Sequence, residues 1–317
     1  MSSPIPDTLA SLHHFLAISD IKADALKALV DFSIQRKAEL LRGELSPCSR
    51  GKVLAMIFQK SSLRTRLGFE TAMVQLGGHA INLEDHQIGV VTREDVRDVA
   101  RVISSMCHCI MARVYAHQLV VQLAEASSVP VINGLSDWAH PCQALADLMT
   151  IQEHFGRLAG LRVAYIGDAN NVARSLLMAC AKTGISFAAA SPPGYQLDNG
   201  MIEGARVCAK GTGASIKVTD KPAEAVADAD VVYTDVWTSM GQEQQRAERE
   251  AAFAGFQVNA ELVRRAKPTA VVMHCLPAHR GVEITSEVMD GPQAIIFQQA
   301  ANRLHTQRAL LEVLLSR

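Results

Sequence analysis

Lys52-Val53-Leu54-Ala55-Met56-Ile57-Phe58 is a short, unbroken apolar run; Ser61-Ser62-Leu63-Arg64-Thr65-Arg66 follows it, and apolar residues then recur at helical spacing from Leu67 to Leu76. An apolar run of this length without polar alternation predicts a strand buried on both faces, and a strand of that kind needs helices above and below it. Working outward, the pattern repeats. Upstream, Ile21 to Leu41 reads as an amphipathic helix. Downstream, apolar runs at Cys109 to Val114 and Pro130 to Asn133 alternate with helical patterns at Glu94 to Met106 and His117 to Ala126. Alternating strand and helix predicts a parallel sheet covered on both faces.

Pro141 to His154 has proline at a first helical position and apolar residues at helical spacing, which predicts one long helix bridging two halves. Beyond Gly156 the alternation restarts, with strands predicted at Arg162 to Ile166, Ser186 to Ala190, Ser215 to Val218, Val231 to Asp235 and Ala270 to His274. Asn302 to Leu315 is helical again. The predicted fold class is therefore α/β, with two doubly wound parallel-sheet domains bridged by helices. One domain covers residues 1–150, with the C-terminal helix of residues 300–317 packing back on it, and the other covers residues 151–299.

Composition narrows the function. A chain of 317 residues exceeds one ordinary core, and 49% hydrophobic with 20% charged residues is a globular balance. Thirty-one Lys and Arg against 32 Asp and Glu, net −1, leave no basic field for nucleic acid or an anionic membrane. Any anion must be held locally. No apolar run reaches the roughly 20 residues of a membrane span, and the first ten residues do not read as a leader, so a cytoplasmic chain is expected. Seven cysteines without CxxC spacing predict reduced thiols and no metal centre. Cys107-His108-Cys109 reads as packing, because Cys109 opens an apolar strand. Gly167-Asp168-Ala169-Asn170-Asn171 stands where a dinucleotide fold carries GxGxxG, and that fingerprint is absent, so no cofactor is expected.

Ser61 to Arg66 brings hydroxyls, backbone N–H groups and guanidiniums to a helix N-terminus, which suits an anion. Taken alone, it reads equally as a serine-capped helix with solvated arginines. Its companions shift the balance: Arg113 ends a strand, His140-Pro141-Cys142-Gln143 opens the bridging helix, His274-Cys275-Leu276-Pro277 ends a strand of the second half, and Arg303 begins the last helix. Most of these fall at carboxyl ends of strands, where open parallel sheets bind ligands.

Together these motifs resemble the carbamoyltransferase family, and Asp235-Val236-Trp237-Thr238-Ser239-Met240-Gly241 resembles the amino-acid loop of its ornithine-using branch. The resemblance runs from about Phe15 to Leu315. It implies transfer of a carbamoyl group from carbamoyl phosphate to the side-chain amine of L-ornithine, a step of arginine metabolism, without metal or cofactor. By this resemblance Ser62, Leu63, Arg64, Thr65, Arg113, His140, Gln143 and Arg303 hold carbamoyl phosphate, joined by Gln87 of a neighbouring subunit in a homotrimer. Asn171, Asp235, Ser239 and Met240 hold ornithine, while Cys275 and Leu276 line the reacting centre; Arg113, His140 and Cys275 are the expected catalytic residues.

The chemistry is consistent with those residue types. Arginines neutralise a dianion bidentately, as lysine does not, and a neutral imidazole N–H with a hydroxyl can donate to a carbonyl oxygen gaining charge. The substrate amine attacks directly, so no protein nucleophile is required. Cys275 lacks an identifiable base and orienter, and an orienting role beside Asp235 is expected for it. One departure stands out: where the commoner family pattern reads Ser-Thr-Arg-Thr, this chain has Ser62-Leu63-Arg64-Thr65. Other acceptors, acetylornithine or putrescine, and a non-catalytic metabolite-binding relative are the alternative readings.

Overall fold

The structure, a computed structural model, describes residues 4–44, 47–84, 89, 93–238 and 243–316. The chain divides into two compact units, one running to Met149 and resuming at Ala301, the other Thr150–Ala300.

The first unit contains α1 (Ala23–Leu41), β1 (Val53–Phe58), α2 (Leu63–Gln75), β2 (His79–Glu84), α3 (Val96–Met106), β3 (Cys109–Arg113), α4 (His117–Ala126) and β4 (Val131–Leu135). Its sheet has the order β2-β1-β3-β4, every pair parallel, with Met56 beside both Asn82 and Met111. Leu54 to Phe58 are all buried, as the unbroken apolar run requires. Helix α3 is capped by Asp95, which accepts from the Arg97 N–H, and it turns Val96, Val99, Ala100 and Ile103 inward. That stripe at i, i+3, i+4 and i+7 packs with Ala55, Ile57, Ile110 and Ala112. Each fully buried aliphatic side chain of this kind contributes about 1.5 to 3 kcal/mol.

The chain enters the second unit within α5 (Pro141–Phe155) and leaves it within α12 (Ile296–Leu315). Between them lie β5 (Arg162–Ile166), α6 (Asn171–Thr183), β6 (Ser186–Ala190), α7 (Asn199–Lys210), β7 (Ile216–Thr219), α8 (Pro222–Val226), β8 (Val231–Thr234), α9 (Arg246–Ala252), α10 (Ala260–Val263), β9 (Val271–His274) and α11 (Ser286–Met289). This sheet, also wholly parallel, has the order β7-β6-β5-β8-β9. Its core gathers Ile166, Val232 and Val272 against Trp237, Phe253 and Phe256.

The structure differs from the sequence reading in three elements. Strand β2 was not expected: it lies at the sheet edge with His79, Ile81 and Glu84 exposed, and Asn82 and Glu84 interrupt the apolar signal. Helix α2 starts at Leu63 rather than Leu67, because the Ser62 side chain accepts from the Thr65 N–H and caps it there. Helix α12 starts at Ile296, six residues before Asn302, since its first turn belongs to the second unit and continues that unit's core through Ile296. Cys109 is buried in β3 and burial pushes its thiol up, in keeping with a packing role. Among the described residues, no helix is long and apolar enough to cross a membrane.

Candidate active site

In the first unit, the turn between β1 and α2, the end of β3, the start of α5 and the middle of α12 converge on Thr65. Its Oγ1 accepts from Ser62 Oγ at 3.0 Å, from Arg303 Nη2 at 3.2 Å and from Arg113 Nη1 at 3.5 Å. A hydroxyl that accepts from guanidiniums directs its own hydrogen away from them, toward whatever acceptor sits beyond. Arg303 Nη1 also donates to Gln143 Oε1 at 2.7 Å, and Gln143 Nε2 donates to Asp147 Oδ1 at 2.8 Å. The carboxamide is thereby fixed in orientation, and its oxygen retains a second lone pair.

Thr65, Arg113, His140, Gln143 and Arg303 are all buried. His140 is held well below the usual imidazole range, first by burial and then by the charges of Arg303, Arg113 and Arg64. The ring is neutral at pH 7, so one of its nitrogens carries a hydrogen to donate while the other does not. Local sequence accounts for each position. Arg113 ends β3 and its carbonyl accepts from the Gln59 N–H at 2.9 Å, tying it to the exit of β1. His140 immediately precedes Pro141, the first residue of α5, and its carbonyl accepts from the Gln143 N–H. Leu63 is the first residue of α2 and is 68% exposed, so its side chain turns to solvent and only its backbone faces the helix start.

In the second unit, Asp235 follows β8 and is buried. Its Oδ1 accepts from Cys275 Sγ at 2.9 Å and from the Val236 N–H at 2.8 Å, and its Oδ2 accepts from Asn170 Nδ2 at 2.7 Å. Asn170 is also the cap of α6, accepting from the Val172 and Ala173 N–H groups. Asn171, which the resemblance assigns to ornithine, is the first helical residue and half-buried, and its neighbour Asn170 does the capping. Asp168 pairs with Arg249 at 2.9 Å, and Arg249 donates to the Trp237 carbonyl at 2.7 Å. Burial pushes the Asp168 carboxyl up, Arg249 opposes that, and Asp235 adds to it.

Asp235, His274 and Cys275 offer atoms within 4.8 Å of one another, a spacing that a metal could bridge. The imidazole is already committed, however. His274 Nδ1 accepts from the Leu276 N–H at 2.9 Å, which places the ring hydrogen on Nε2, 3.2 Å from Glu283. Neither nitrogen keeps a lone pair for an ion, so the group reads as a hydrogen-bonded brace. Leu276 stands at φ +56°, a left-handed conformation uncommon for a leucine, just after Cys275.

Gln87, Ser239 and Met240 lie outside the described residues. Three groups were not read from the sequence. Asp147 carries a local signal, since i, i+4 spacing from Gln143 puts both on one helix face. Asn170 was quoted but passed over for its neighbour. Arg249 carries none, because it meets Asp168 from 81 residues away.

Comparison with known proteins adds the following. Residues 13–153 match the family model described as the carbamoyl-P binding domain of aspartate/ornithine carbamoyltransferase, and residues 159–314 match its Asp/Orn binding domain. An ornithine carbamoyltransferase of Anoxybacillus flavithermus is 50% identical over 301 residues, 95% of this chain and 96% of that one. Another, from Bacillus subtilis, is 50% identical over 300 residues, 95% of this chain and 93% of its own length. The solved structure of ornithine carbamoyltransferase from Pyrococcus furiosus superimposes with a TM-score of 0.93 at 47% identity, covering 96% of this chain and 97% of that chain.

Proposed function

This chain belongs to the aspartate/ornithine carbamoyltransferase family, and on that footing we propose that it transfers the carbamoyl group of carbamoyl phosphate to the side-chain amine of L-ornithine, giving L-citrulline and phosphate. The observation that carries the reading is the first unit's cluster: Arg113 and Arg303 on the Thr65 hydroxyl, with the neutral His140 beside them and Arg64. A cluster of fixed positive charge with neutral donors suits a small dianion whose carbonyl must also be polarised.

In this reading Arg64, Arg113 and Arg303, with Ser62 and the Leu63 N–H, hold the phosphate. Thr65, His140 and Arg113 donate to the carbonyl oxygen, and Gln143 accepts from the carbamoyl nitrogen. The neutral δ-amine attacks the carbonyl carbon, the carbon–oxygen bond to phosphate breaks, and the proton released by nitrogen ends on the departing phosphate. The donors aimed at the oxyanion act without reorganising. In the second unit Asp235 receives the α-ammonium of ornithine, with Asn171, Ser239 and Met240 completing the amino-acid clamp. Cys275 and Leu276 line the reacting centre, where Cys275 is a positioning residue: its thiol donates to Asp235 and holds the carboxylate in place.

Residues 1–150 with the last helix form the carbamoyl phosphate domain and residues 151–299 the ornithine domain. Gln87 reaches the carbamoyl phosphate of a neighbouring subunit in a homotrimer, and the reaction runs in the cytoplasm; seven free cysteines support a reducing setting. The deciding experiment measures citrulline formation with ornithine, acetylornithine, putrescine and aspartate offered in parallel. Ornithine is the expected acceptor, because acetylation leaves Asp235 facing an uncharged amide. Equal turnover of acetylornithine would overturn the assignment, and light scattering that returns a monomer would remove the role given to Gln87.

A further inference from the structure

Glu283 takes no part in the transfer as set out above, yet its side chain is wholly buried in the second unit. Burying a carboxyl group costs free energy unless hydrogen bonds offset it, so its partners show its use. Its Oε1 accepts from the His279 N–H at 2.5 Å and from His274 Nε2 at 3.2 Å, and its Oε2 lies 3.9 Å from His279 Nδ1. The backbone around it is fastened too. The Glu283 carbonyl accepts from the Val258 N–H at 2.8 Å, and the Ile284 carbonyl accepts from the Gly281 N–H at 2.8 Å. Ile284 and Val258 are both buried in this unit's core. Glu283 is therefore a fixed acceptor, anchored by residues outside β9.

His274, the last residue of β9, connects that acceptor to the strand end. Its two ring nitrogens face opposite demands. Nδ1 must accept from the Leu276 N–H, 2.9 Å away, so the ring hydrogen must sit on Nε2. Which nitrogen carries the hydrogen is set by what the other atoms around the ring offer, and an acceptor at Nε2 selects this tautomer. The opposite tautomer would set a ring N–H against the Leu276 N–H. Leu276 stands at φ +56°, a conformation that a leucine keeps only where its surroundings hold it. The bond to His274 supplies that hold. Between the two residues stands Cys275, whose Sγ donates to Asp235 Oδ1 at 2.9 Å.

We propose that Glu283 is a positioning residue for the transfer: by selecting the His274 tautomer it fixes the Cys275–Leu276 turn, and through that turn the orientation of the Asp235 carboxylate. This role rests on the function proposed above. Glu283 itself touches no reacting atom.

The test measures citrulline formation at varied ornithine for Glu283→Gln, Glu283→Ala, His274→Asn and the double variant His274→Asn, Glu283→Ala, beside calorimetric titration of carbamoyl phosphate. In Glu283→Ala the tautomer is no longer selected, and kcat/KM for ornithine should fall by about tenfold or more. Carbamoyl phosphate affinity should stay unchanged, because its charge is assigned to the arginines of the first unit. Glutamine keeps an oxygen that can accept from both N–H groups, so Glu283→Gln should recover most of the activity. In His274→Asn the Oδ1 can accept from the Leu276 N–H without any tautomer to select. Adding Glu283→Ala to it should then cost much less than it does in the natural protein, a coupling that a merely structural role would not produce. Glu283→Leu, which keeps the volume and removes the acceptor, carries the same comparisons should the alanine variant fold poorly. Equal losses for glutamine and alanine, equal losses in the two His274 backgrounds, or lower thermal stability with kcat/KM unchanged would each overturn the proposal. A natural protein that forms no citrulline fails at the function itself and takes this role with it, whereas an active natural protein with an undiminished Glu283→Ala fails here alone.

Discussion

In the first unit the charge at the carboxyl edge of the sheet comes from Arg113 and Arg303, which donate to Thr65, and from Arg64, the three together keeping His140 neutral; at the same edge of the second unit the carboxylate of Asp235 is held by a thiol, a carboxamide and a backbone amide, beside the Asp168–Arg249 pair. Both sheets are wholly parallel and both use the ends of their strands. They differ in what the charge can do. Guanidiniums stay protonated at any working pH and bind a dianion by number and direction. A buried carboxylate braced by neutral donors can accept from one incoming cation, and it is as specific as its braces are rigid. The first unit is therefore organised for strength and the second for discrimination.

The largest effect expected from this contrast is in the first unit. Arg113→Ala or Arg303→Ala should weaken carbamoyl phosphate by about 2 to 5 kcal/mol, the usual cost of truncating one partner of a buried charge pair, as read by calorimetry. An unchanged affinity in either variant removes that arginine from the site. Next, Asp235→Asn should raise the KM for ornithine by roughly tenfold to a hundredfold, the worth of about 1.5 to 3 kcal/mol for a hydrogen bond to a charged group. Carbamoyl phosphate affinity should stay put; if it moves as far as the KM, the division of labour between the units is wrong.

The pH dependence sharpens the same point. His140 lies well below its ordinary range, so it stays neutral across pH 6.5 to 9 and supplies no titration there. The slope belongs to the substrate: a δ-amine resembling lysine has a pKa near ~10.4, so at subsaturating ornithine the rate should rise about tenfold per pH unit above neutrality. A flat profile means that the ammonium binds and a base deprotonates it on the enzyme. His140 also has a consequence for stability. Its depressed pKa contributes stability that is complete above the unfolded value of about 6.5. That contribution is lost as pH falls toward the folded value, and His140→Asn should flatten this acid-side decline in thermal unfolding.

Smaller still is Cys275→Ser, which keeps a donor for Asp235. It should hold turnover within about tenfold, since one neutral hydrogen bond is worth about 0.5 to 1.5 kcal/mol. Complete inactivation by this change would mean that the thiol does covalent work. The smallest effect is expected from Leu63→Thr: its side chain is exposed, so an added hydroxyl should tighten carbamoyl phosphate by no more than about tenfold, with turnover nearly unchanged in steady-state kinetics.

Most of the fold was legible in local patterns. The apolar runs at Val53–Phe58, Cys109–Arg113, Arg162–Ile166 and Ser186–Ala190 are strands in the structure, because a strand buried on both faces has no polar residue to hide its period. β2 escaped for the opposite reason: an edge strand is half solvated, so Asn82 and Glu84 sit in it without cost and the run disappears. The apolar spacing starts only at Leu67, four residues inside α2; the serine cap was one of the two readings of Ser61 to Arg66, and the structure puts it at Ser62.

The sequence by itself determined the class of fold and the positions of the strand ends at which Arg113, Asp235 and Cys275 stand, since each depends on periodicity within a few residues. Tertiary structure alone decided which atoms meet. Thr65 and Arg303 are 238 residues apart, Asp235 and Cys275 are 40 apart, and Asp168 and Arg249 are 81 apart. Only the packing of helices on sheets closes such distances, and only burial among the three guanidiniums makes His140 a neutral donor, because desolvation and summed charge are properties of the assembled interior and not of any segment of the chain.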